Sequence, residues 1–494
     1  MIANNIQQSQ LSSWDELLEY VRQGAGVRTH SQQVEPGDVF VALPGTHTDG
    51  SAYIPQAVAR HAAWVVHSNH FTPSAGEARV RFLACPDPGK TLGTLAAAKY
   101  KTDQKKPFLI GITGTNGKTT VSYLTEHLLR SAGKECGVLG TISYRWKGRE
   151  RHADLTTPGC LELHAMLAEM AEEGVEVVCM EVSSHALDQQ RTAGLAFDLA
   201  VFTNLTQDHL DYHQDMETYF QVKSRLFATA SWSSILNFDD TYGLRLAGLS
   251  TPGRGYSLNK REVSNWPCLQ GDVQQMERSG LVLELHERGM GQWSLRSRLV
   301  GRHNASNLLA AQAIGLELGL GPKDFRVLES CSGPPGRLER VSNSQGLHVF
   351  VDYAHTPDAL DNVLSALKEL NFQRLIVVFG CGGDRDPGKR PLMGEAVARH
   401  ADLAVLTSDN PRHEDPEQIM HGVMPGLQSC PQVMRNPDRR KAIYMGLEAT
   451  GPLDALVIAG KGHECTQQIK EKKMPFSDVQ VVREYLDGHE VQGV

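Results

Sequence analysis

The chain has 494 residues, 40% of them in the AVILMFWYC set and 21% charged, a balance that excludes disorder, a collagen-like chain and a coiled coil. At domain sizes of about 150 residues, this length predicts roughly three domains rather than one hydrophobic core. Lys and Arg total 49 against 57 Asp and Glu, a net charge of −8, so neither nucleic acid nor a membrane surface is an expected partner. The nine cysteines form no CxxC pair and are expected to be reduced thiols. Without a basic and apolar leader, and without an apolar run of about 20 residues, the sequence predicts a cytoplasmic protein that does not insert into a membrane.

The first predicted domain covers residues 1–105. Its first 25 or so residues carry no readable motif. A strand over Val39–Leu43 is bracketed by Pro36-Gly37-Asp38 and Pro44-Gly45. The helix-like IPQAVARHA, an apolar run from Ala62 to Val66 and the helix-favouring KTLGTLAAAKYKTD complete a small α/β unit. Gln104-Lys105-Lys106-Pro107 looks like a linker.

The second predicted domain, 106–339, opens with strand FLIGI, a glycine-rich turn and helix VSYLTEHLLRSAG, closed by Gly133. Strand VEVVCM ends at Glu181, and strand LAVFTNL runs into Asp208-His209. GRHNASNLLAAQAIGLELGLG follows as an apolar helix, and the Gly/Pro cluster Ser332–Gly336 marks the boundary near 340. The third domain, 340–494, alternates strands and helices: HVFVDY, LDNVLSALKEL, RLIVVFG, LMGEAVARHA, LAVLTS, EQIMHGVMPGL and ALVIAGKG. That alternation predicts a Rossmann-like, doubly wound parallel sheet with ligands at the carboxyl ends of its strands. The expected fold class is therefore α/β in three domains, with a P-loop-type ATPase in the middle.

Gly111-Ile112-Thr113-Gly114-Thr115-Asn116-Gly117-Lys118-Thr119-Thr120 is the most informative stretch. Glycines let backbone amides converge on phosphate oxygens, the helix start adds positive potential, Lys118 supplies a charge and Thr119 a hydroxyl for Mg²⁺. The strict G-x-x-x-x-G-K-[ST] pattern fails, because its first position falls on Ile112; the TGTNGKT variant is narrower. Glu181, at the end of a following strand, is the natural metal carboxylate. Asp208-His209-Leu210-Asp211-Tyr212-His213 gathers four candidate ligands, and a second magnesium suits a phosphate centre better than a closed zinc site.

TGTNGKTT, MEVSSHAL, TNLTQDHLDYH, GRHNASN, GRLER, VDYAHTPDAL and GCGGDRDPGKRPLMG follow one another along almost the whole chain. Together they resemble the Mur ligases, the ATP-dependent amide ligases of peptidoglycan synthesis. The resemblance implies an N-terminal domain for a UDP sugar, a central ATPase and a C-terminal domain for the incoming amino acid, acting as a monomer. It implies ATP on Gly114 to Thr120 with Asn304, Arg337 and Asp352, His355 lying nearby. It further implies one Mg²⁺ on Thr119 and Glu181, and a second helped by His209. Lys223 matches the family lysine that carries a carbamate (N6-carboxylysine), whereas its residues alone read as an exposed helix lysine. Lys118, Lys223, His209 and Glu181 form the implied catalytic set. For UDP-N-acetylmuramoyl-L-alanyl-D-glutamate the matching positions are Ser31, Thr46, His47, Thr48, Thr156, Thr157, Ser183, Gln189 and Arg191.

The loop Asp409-Asn410-Pro411-Arg412 resembles the form found in ligases that add meso-diaminopimelate; lysine-adding relatives lack the arginine. The chemistry agrees, because a guanidinium matches the distal carboxylate that lysine does not have. Gly460 and Glu464, the latter facing the distal ammonium, and Arg390, facing the other carboxylate, complete the implied site. A folylpolyglutamate synthetase shares the ATPase core, but is not expected to carry the UDP-sugar domain or the DNPR and GKGHE loops. The Mur ligase that adds a D-alanyl dipeptide fits less well because of those two loops. A nucleotide-gated switch or motor leaves the third α/β domain unexplained.

Overall fold

The computed structural model describes residues 13–45, 48–69, 71 and 80–490. Within the first sheet unit, helix α1 (13–22) precedes β1 (Val27–Arg28), β2 (Val39–Val41), α2 (Ile54–Ala59), β3 (Trp64–Ser68), β4 (Arg81–Cys85) and α3 (Pro88–Tyr100). The four strands are parallel in the order β1-β2-β3-β4. Val39 and Val41 turn to one face with Trp64 and Leu95, while Phe40 turns to the other with Ile54 and Val65, the period-two alternation of a strand buried on both sides.

The central unit runs through β5 (Phe108–Thr113), α4 (Lys118–Ser131), β6 (Cys136–Leu139), β7 (Ser143–Trp146), β8 (Arg149–His152), α5 (Cys160–Glu172) and β9 (Val177–Glu181). It continues with α6 (Ser184–Asp188), β10 (Phe197–Phe202), α7 (Leu210–His213), α8 (Met216–Ala228), β11 (Ala230–Asn237), α9 (Thr241–Ala247) and β12 (Arg254–Ser257). A meander of β13 (Cys268–Glu277), β14 (Gly280–Glu287) and β15 (Gly291–Ser297) then leads into α10 (Arg302–Glu317). All eleven strands form one sheet, ordered β15-β14-β13-β12-β11-β10-β5-β9-β6-β7-β8. Its parallel centre places β5 between β9 and β10, so the chain leaves β5, β9 and β10 at adjacent carboxyl ends. Ile110 and Ile112 of β5 pack under α4 and α10, whereas Leu109 faces α5 and α8 on the opposite side.

The third unit comprises β16 (Glu339–Val341), β17 (His348–Asp352), α11 (Pro357–Lys368), β18 (Leu375–Cys381), α12 (Lys389–Ala398), β19 (Leu403–Ser408), α13 (Pro416–Val423) and β20 (Val433–Arg435). After α14 (Arg439–Ala449) and β21 (Ala455–Ala459) come a hairpin, β22 (Thr466–Ile469) and β23 (Lys472–Pro475), and α15 (Asp478–Glu490). The sheet order is β16-β17-β21-β18-β19-β20, parallel except at β16. Helices cover both faces, as the sequence alternation predicts. Among the described residues no helix is long and apolar enough to cross a membrane.

A fully buried ion pair sits in this unit. The guanidinium of Arg439, on α14, donates to both Asp478 oxygens at 2.8 and 2.7 Å and to the carbonyl of Ala459 at 3.0 Å. Removing one partner leaves a buried carboxylate uncompensated, so Arg439→Met is expected to destabilise the C-terminal unit by about 3–5 kcal/mol. Chemical denaturation followed through that unit's transition checks this, and a loss below about 1 kcal/mol would show the pair to be dispensable.

Candidate functional site

The phosphate loop forms where β5 ends and α4 begins. Gly117 caps α4 with φ +89°, and a Cβ there would approach Asn307 Oδ1 to 2.5 Å, so the position is closed to side chains. Asn204 holds the loop from behind: its Oδ1 accepts from the Asn116 amide at 2.9 Å and its Nδ2 donates to the Asn116 carbonyl at 3.1 Å. Thr203 Oγ1 donates to the same carbonyl at 2.6 Å. The first amides of α4 have no partner inside the helix and add to the loop's positive potential.

Two lysines converge on this loop. Lys118 Nζ donates to the carbonyls of Gly114 and Thr115 at 2.8 and 2.7 Å. Lys223 Nζ, on α8, reaches the same Gly114 carbonyl at 3.0 Å and lies 4.8 Å from the Tyr219 ring centroid. Lys223 is only 2% exposed, so the residue-level reading of an exposed helix lysine does not hold; α8 turns this face inward, with Tyr219, Phe220 and Leu226 buried beside it. Burial pushes the Lys223 ammonium well below its ordinary pKa, and neighbouring Lys118 pushes the same way against Asp208. Lys118 is lowered by burial and by Arg337, opposed by Glu181 and Asp208. Cations crowded this closely form a receptor for a polyanion.

Glu181, 1% exposed at the end of β9, accepts from Thr119 Oγ1 at 2.8 Å. It also accepts from the amide of Thr141 at 3.0 Å and from its hydroxyl at 3.0 Å. A hydroxyl beside a carboxylate is a hard oxygen pair that suits Mg²⁺. Among the described residues no three His, Cys, Asp or Glu side chains converge on a single point. A divalent cation at Thr119 and Glu181 would have to draw further oxygens from elsewhere, a need that phosphate meets. ATP with Mg²⁺ fits this donor set. His209 caps the short α7 with φ +54° and stacks edge-on to His185, centroids 4.9 Å apart. Burial lowers its pKa to about 4, with His185, Lys118 and Lys223 reinforcing the effect against Asp208, which leaves a neutral imidazole able to donate to a metal.

Beside Glu181 lies a second cluster. Thr157 Oγ1 donates to the Glu181 carbonyl at 2.8 Å and accepts from the Ser183 amide at 3.1 Å, while Ser183 Oγ caps α6 through the Ala186 amide. Thr156 Oγ1 meets Thr141 Oγ1 at 3.1 Å. Arg191 Nη1 donates to the Thr157 carbonyl at 3.2 Å and Nη2 to Gln189 Oε1 at 2.6 Å. The structure thus brings Thr156, Thr157, Ser183, Gln189 and Arg191 together beside Glu181. Ser31 stands apart, buried in the N-terminal unit with its hydroxyl on Gln56 at 2.7 Å. Thr48 is exposed on its loop, and Thr46 and His47 lie outside the described residues.

The chain crosses to the third unit through Gly336-Arg337-Leu338. Arg337 lies 4.7 Å from the Tyr353 ring centroid, and its Nε is buried without a hydrogen-bond partner. Asp352 accepts from the amides of Leu338 at 2.5 Å and Ala354 at 2.7 Å, so it fastens the linker to the end of β17. Burial raises its pKa, opposed by Arg337 and those amides. His355 is exposed on the same loop. Asn304 is committed within its helix, its Nδ2 on the Val300 carbonyl and its Oδ1 accepting from Asn307; Asn307 is the residue that lies against Gly117. Across the junction Asp358, at the start of α11, accepts from Thr206 Oγ1 at 3.0 Å.

The loops after β18, β19 and β21 lie at the same carboxyl end of this parallel sheet, beside the loop after β17. Arg412 adopts φ +50°, unusual for a side-chain-bearing residue, and β22 enforces it: the Arg412 amide donates to Gln468 O at 3.2 Å and Lys470 N donates to Arg412 O at 2.7 Å. Its Nη1 donates to the Gly383 carbonyl at 2.6 Å. Pro411 is buried beside it. Arg390 Nη2 pairs with both oxygens of Glu414, at 2.8 and 2.7 Å, while its Nε is buried without a partner. Asn410 Nδ2 donates to Glu464 Oε2 at 3.0 Å. Asp409 is buried beneath the loop, and Gly460 takes φ +117° against it. Thr141 lies outside every quoted motif, and Asn204, Asp358 and Lys461 lie inside quoted motifs without being singled out there as site residues. Only their position just past a strand end or at a helix start gives them away.

Family models match in sequence along the chain. "Mur ligase family, catalytic domain" covers residues 25–100, "Mur ligase middle domain" 112–315 and "Mur ligase, glutamate ligase domain" 336–462. A protein of Lawsonia intracellularis named UDP-N-acetylmuramoyl-L-alanyl-D-glutamate--2,6-diaminopimelate ligase is 53% identical over 461 residues, 92% of this chain and 95% of its own. A solved structure of a ligase with that name superposes with TM-score 0.67 at 34% identity, covering 94% of this chain and 95% of the other. The ADP complex of MurF from Thermotoga maritima, at 16% identity, shares the fold with TM-score 0.61, covering 97% and 99%. With the phosphate loop, its two lysines and Glu181 at the centre of such a match, the chain belongs to the Mur ligase family.

Proposed function

We propose that the protein joins meso-2,6-diaminopimelate to UDP-N-acetylmuramoyl-L-alanyl-D-glutamate, consuming ATP and releasing ADP and phosphate. The observation that carries this reading is Arg412, held in a left-handed conformation with its guanidinium in the loop that neighbours Glu464. The N-terminal unit takes the UDP sugar, the central unit ATP and the dipeptide end, and the C-terminal unit the incoming amino acid.

A carboxylate is a poor electrophile, so the terminal carboxylate of the nucleotide dipeptide attacks the γ-phosphorus of ATP and ADP departs. The amine of diaminopimelate then adds to the acyl phosphate carbon. The tetrahedral adduct loses its proton and expels phosphate to leave the amide. Lys118 and the amides of α4 stabilise charge on the transferring oxygens, and the Thr156–Arg191 cluster orients the dipeptide. Thr119 and Glu181 would hold one Mg²⁺ and His209 would serve a second, and these ions would supply Lewis acidity at the phosphates. Lys223 is chemically prepared for carbamylation, because only a neutral amine adds to CO₂ and its surroundings favour that form. The carbamate is an anion that binds cations, where the ammonium repels them. Closing the third unit over the second shields the acyl phosphate from water.

Purified protein with ATP, Mg²⁺ and the nucleotide dipeptide should release ADP only when an amino acid is supplied, and meso-diaminopimelate should far outperform L-lysine. A preference for lysine would overturn the specificity while leaving the ligase. In the same assay Arg412→Ala removes a charge-assisted contact and should raise KM for diaminopimelate by about 10- to 100-fold, with KM for ATP unchanged. Equal rises in both constants would reduce Arg412 to a structural loop residue.

A further inference from the structure

Lys461 is buried completely, with no exposed side-chain surface, in the loop after β21. Its Nζ donates to Glu464 Oε2 at 2.7 Å and to Asn410 Oδ1 at 3.1 Å. Asn410 closes the triangle by donating its Nδ2 to the same Glu464 oxygen at 3.0 Å, and its Oδ1 also accepts from the Gln468 amide at 2.9 Å. The carboxamide of Asn410 is thereby fixed in one orientation, with oxygen toward the ammonium and nitrogen toward the carboxylate. Both donors occupy Oε2, which leaves Oε1 of Glu464 as the face toward a ligand. A buried lysine with two such partners is costly to retain for stability alone.

We propose that Lys461 is a specificity-determining positioning residue, which keeps Glu464 ionised and aimed so that its free oxygen receives the distal ammonium of the incoming diamino acid while Arg412 receives the neighbouring carboxylate. This rests on the assignment of Arg412 and Glu464 to diaminopimelate. The surroundings of Glu464 explain why a cation is needed. Asp409 faces it from the β19 loop, Tyr353 from the β17 loop, Arg439 from α14 and His463 on its own loop. Burial alone drives the Glu464 carboxyl upward; Lys461, helped by Asn410, reverses that to a net lowering. His463 is lowered to about 4, chiefly by burial, and is neutral across the working range. Without Lys461, burial and Asp409 act on Glu464 with less opposition, and its affinity for a proton rises. A protonated Glu464 no longer attracts an ammonium.

The test uses the full-length enzyme with ATP and the nucleotide dipeptide. Lys461→Met is expected to raise KM for meso-diaminopimelate by about 10- to 100-fold, with KM for ATP and for the nucleotide dipeptide unchanged. That KM should also worsen as pH is lowered, more steeply than in the parent enzyme, because the loss of Lys461 moves the Glu464 carboxyl upward. Glu464→Gln should raise KM for diaminopimelate without a pH dependence, and adding it to Lys461→Met should abolish the new pH dependence. Lys461→Gln, which restores polar contacts without the charge, should lose less affinity yet show the same pH profile, and serves if the methionine variant does not fold. A flat pH profile and unchanged KM in the Lys461 variants, with a raised KM in Glu464→Gln, would overturn the inference and leave the site standing. Unchanged KM in all of them would overturn the site assignment itself.

Discussion

Lys118→Ala is expected to stop ligation, with kcat falling by roughly 10³-fold, comparable to or beyond the loss of a single preorganised donor to a developing oxyanion. Lys118 emerges from the first residue of α4 and already reaches over the Gly114 and Thr115 carbonyls, so its ammonium is held at the loop mouth before any phosphate arrives. Burial lowers the pKa values of Lys118 and Lys223, and repulsion adds to it, from Arg337 on Lys118 and from Lys118 on Lys223. An anion relieves that repulsion, and the most charge accumulates during phosphoryl transfer. The alanine variant should therefore keep its fold, since removing a repelled cation relaxes the loop. Single-turnover measurement of acyl phosphate formation is the direct assay; near-normal rates would refute the role given to Lys118.

The second large effect concerns Lys223. Alanine there should lower kcat by about 10²-fold or more, because the carbamate that would hold a cation beside the loop could no longer form. The diagnostic outcome is chemical rescue: a short carboxylic acid such as formate, entering the space vacated by the side chain, should restore part of the rate to Lys223→Ala and none to Lys118→Ala. Mass spectrometry of the intact protein under raised CO₂ should show an added 44 Da on the parent and not on the variant, by the chemistry CO₂ + amine → carbamate + H⁺. Rescue by short amines instead would mean that the ammonium itself is the working form.

Local chemistry explains which parts were legible in the sequence. The strand–turn–helix around Gly117 and Lys118 is written within ten consecutive residues, and the alternating strands and helices after residue 340 are equally local. The burial of Lys223 is not: METYFQVKSRLF reads as an ordinary amphipathic helix, and only the packing of α8 against β5 and β10 turns that lysine inward. The approach of Asn307 to the phosphate loop is tertiary for a similar reason. Two asparagines three residues apart share one helix face, and tertiary placement makes Asn307 the one that touches the phosphate loop. Thr141 carries no motif, since a threonine after a strand is ordinary until Glu181 is seen against it. The meander β13–β15 carries a period of two that is local as well: Leu281, Leu283 and Leu285 are buried in the core shared with α10, while Val282, Glu284 and His286 between and beside them are more exposed.

The linker has a consequence for timing. Gly336, at φ +66°, runs so close to Gly462 and the His463 amide that a Cβ would collide with the backbone of the acceptor loop, and Arg337 rests on Tyr353 of the same unit. Arg337, proposed for the nucleotide, thus belongs with the loops proposed for the amino acid, while the phosphate loop, Lys223 and the cluster proposed for the dipeptide belong to the central unit. Each body holds half of the reacting set, and neither half can turn over by itself. Wasted ATP is then limited by architecture: hydrolysis without an acceptor requires the same meeting of the two bodies that ligation does.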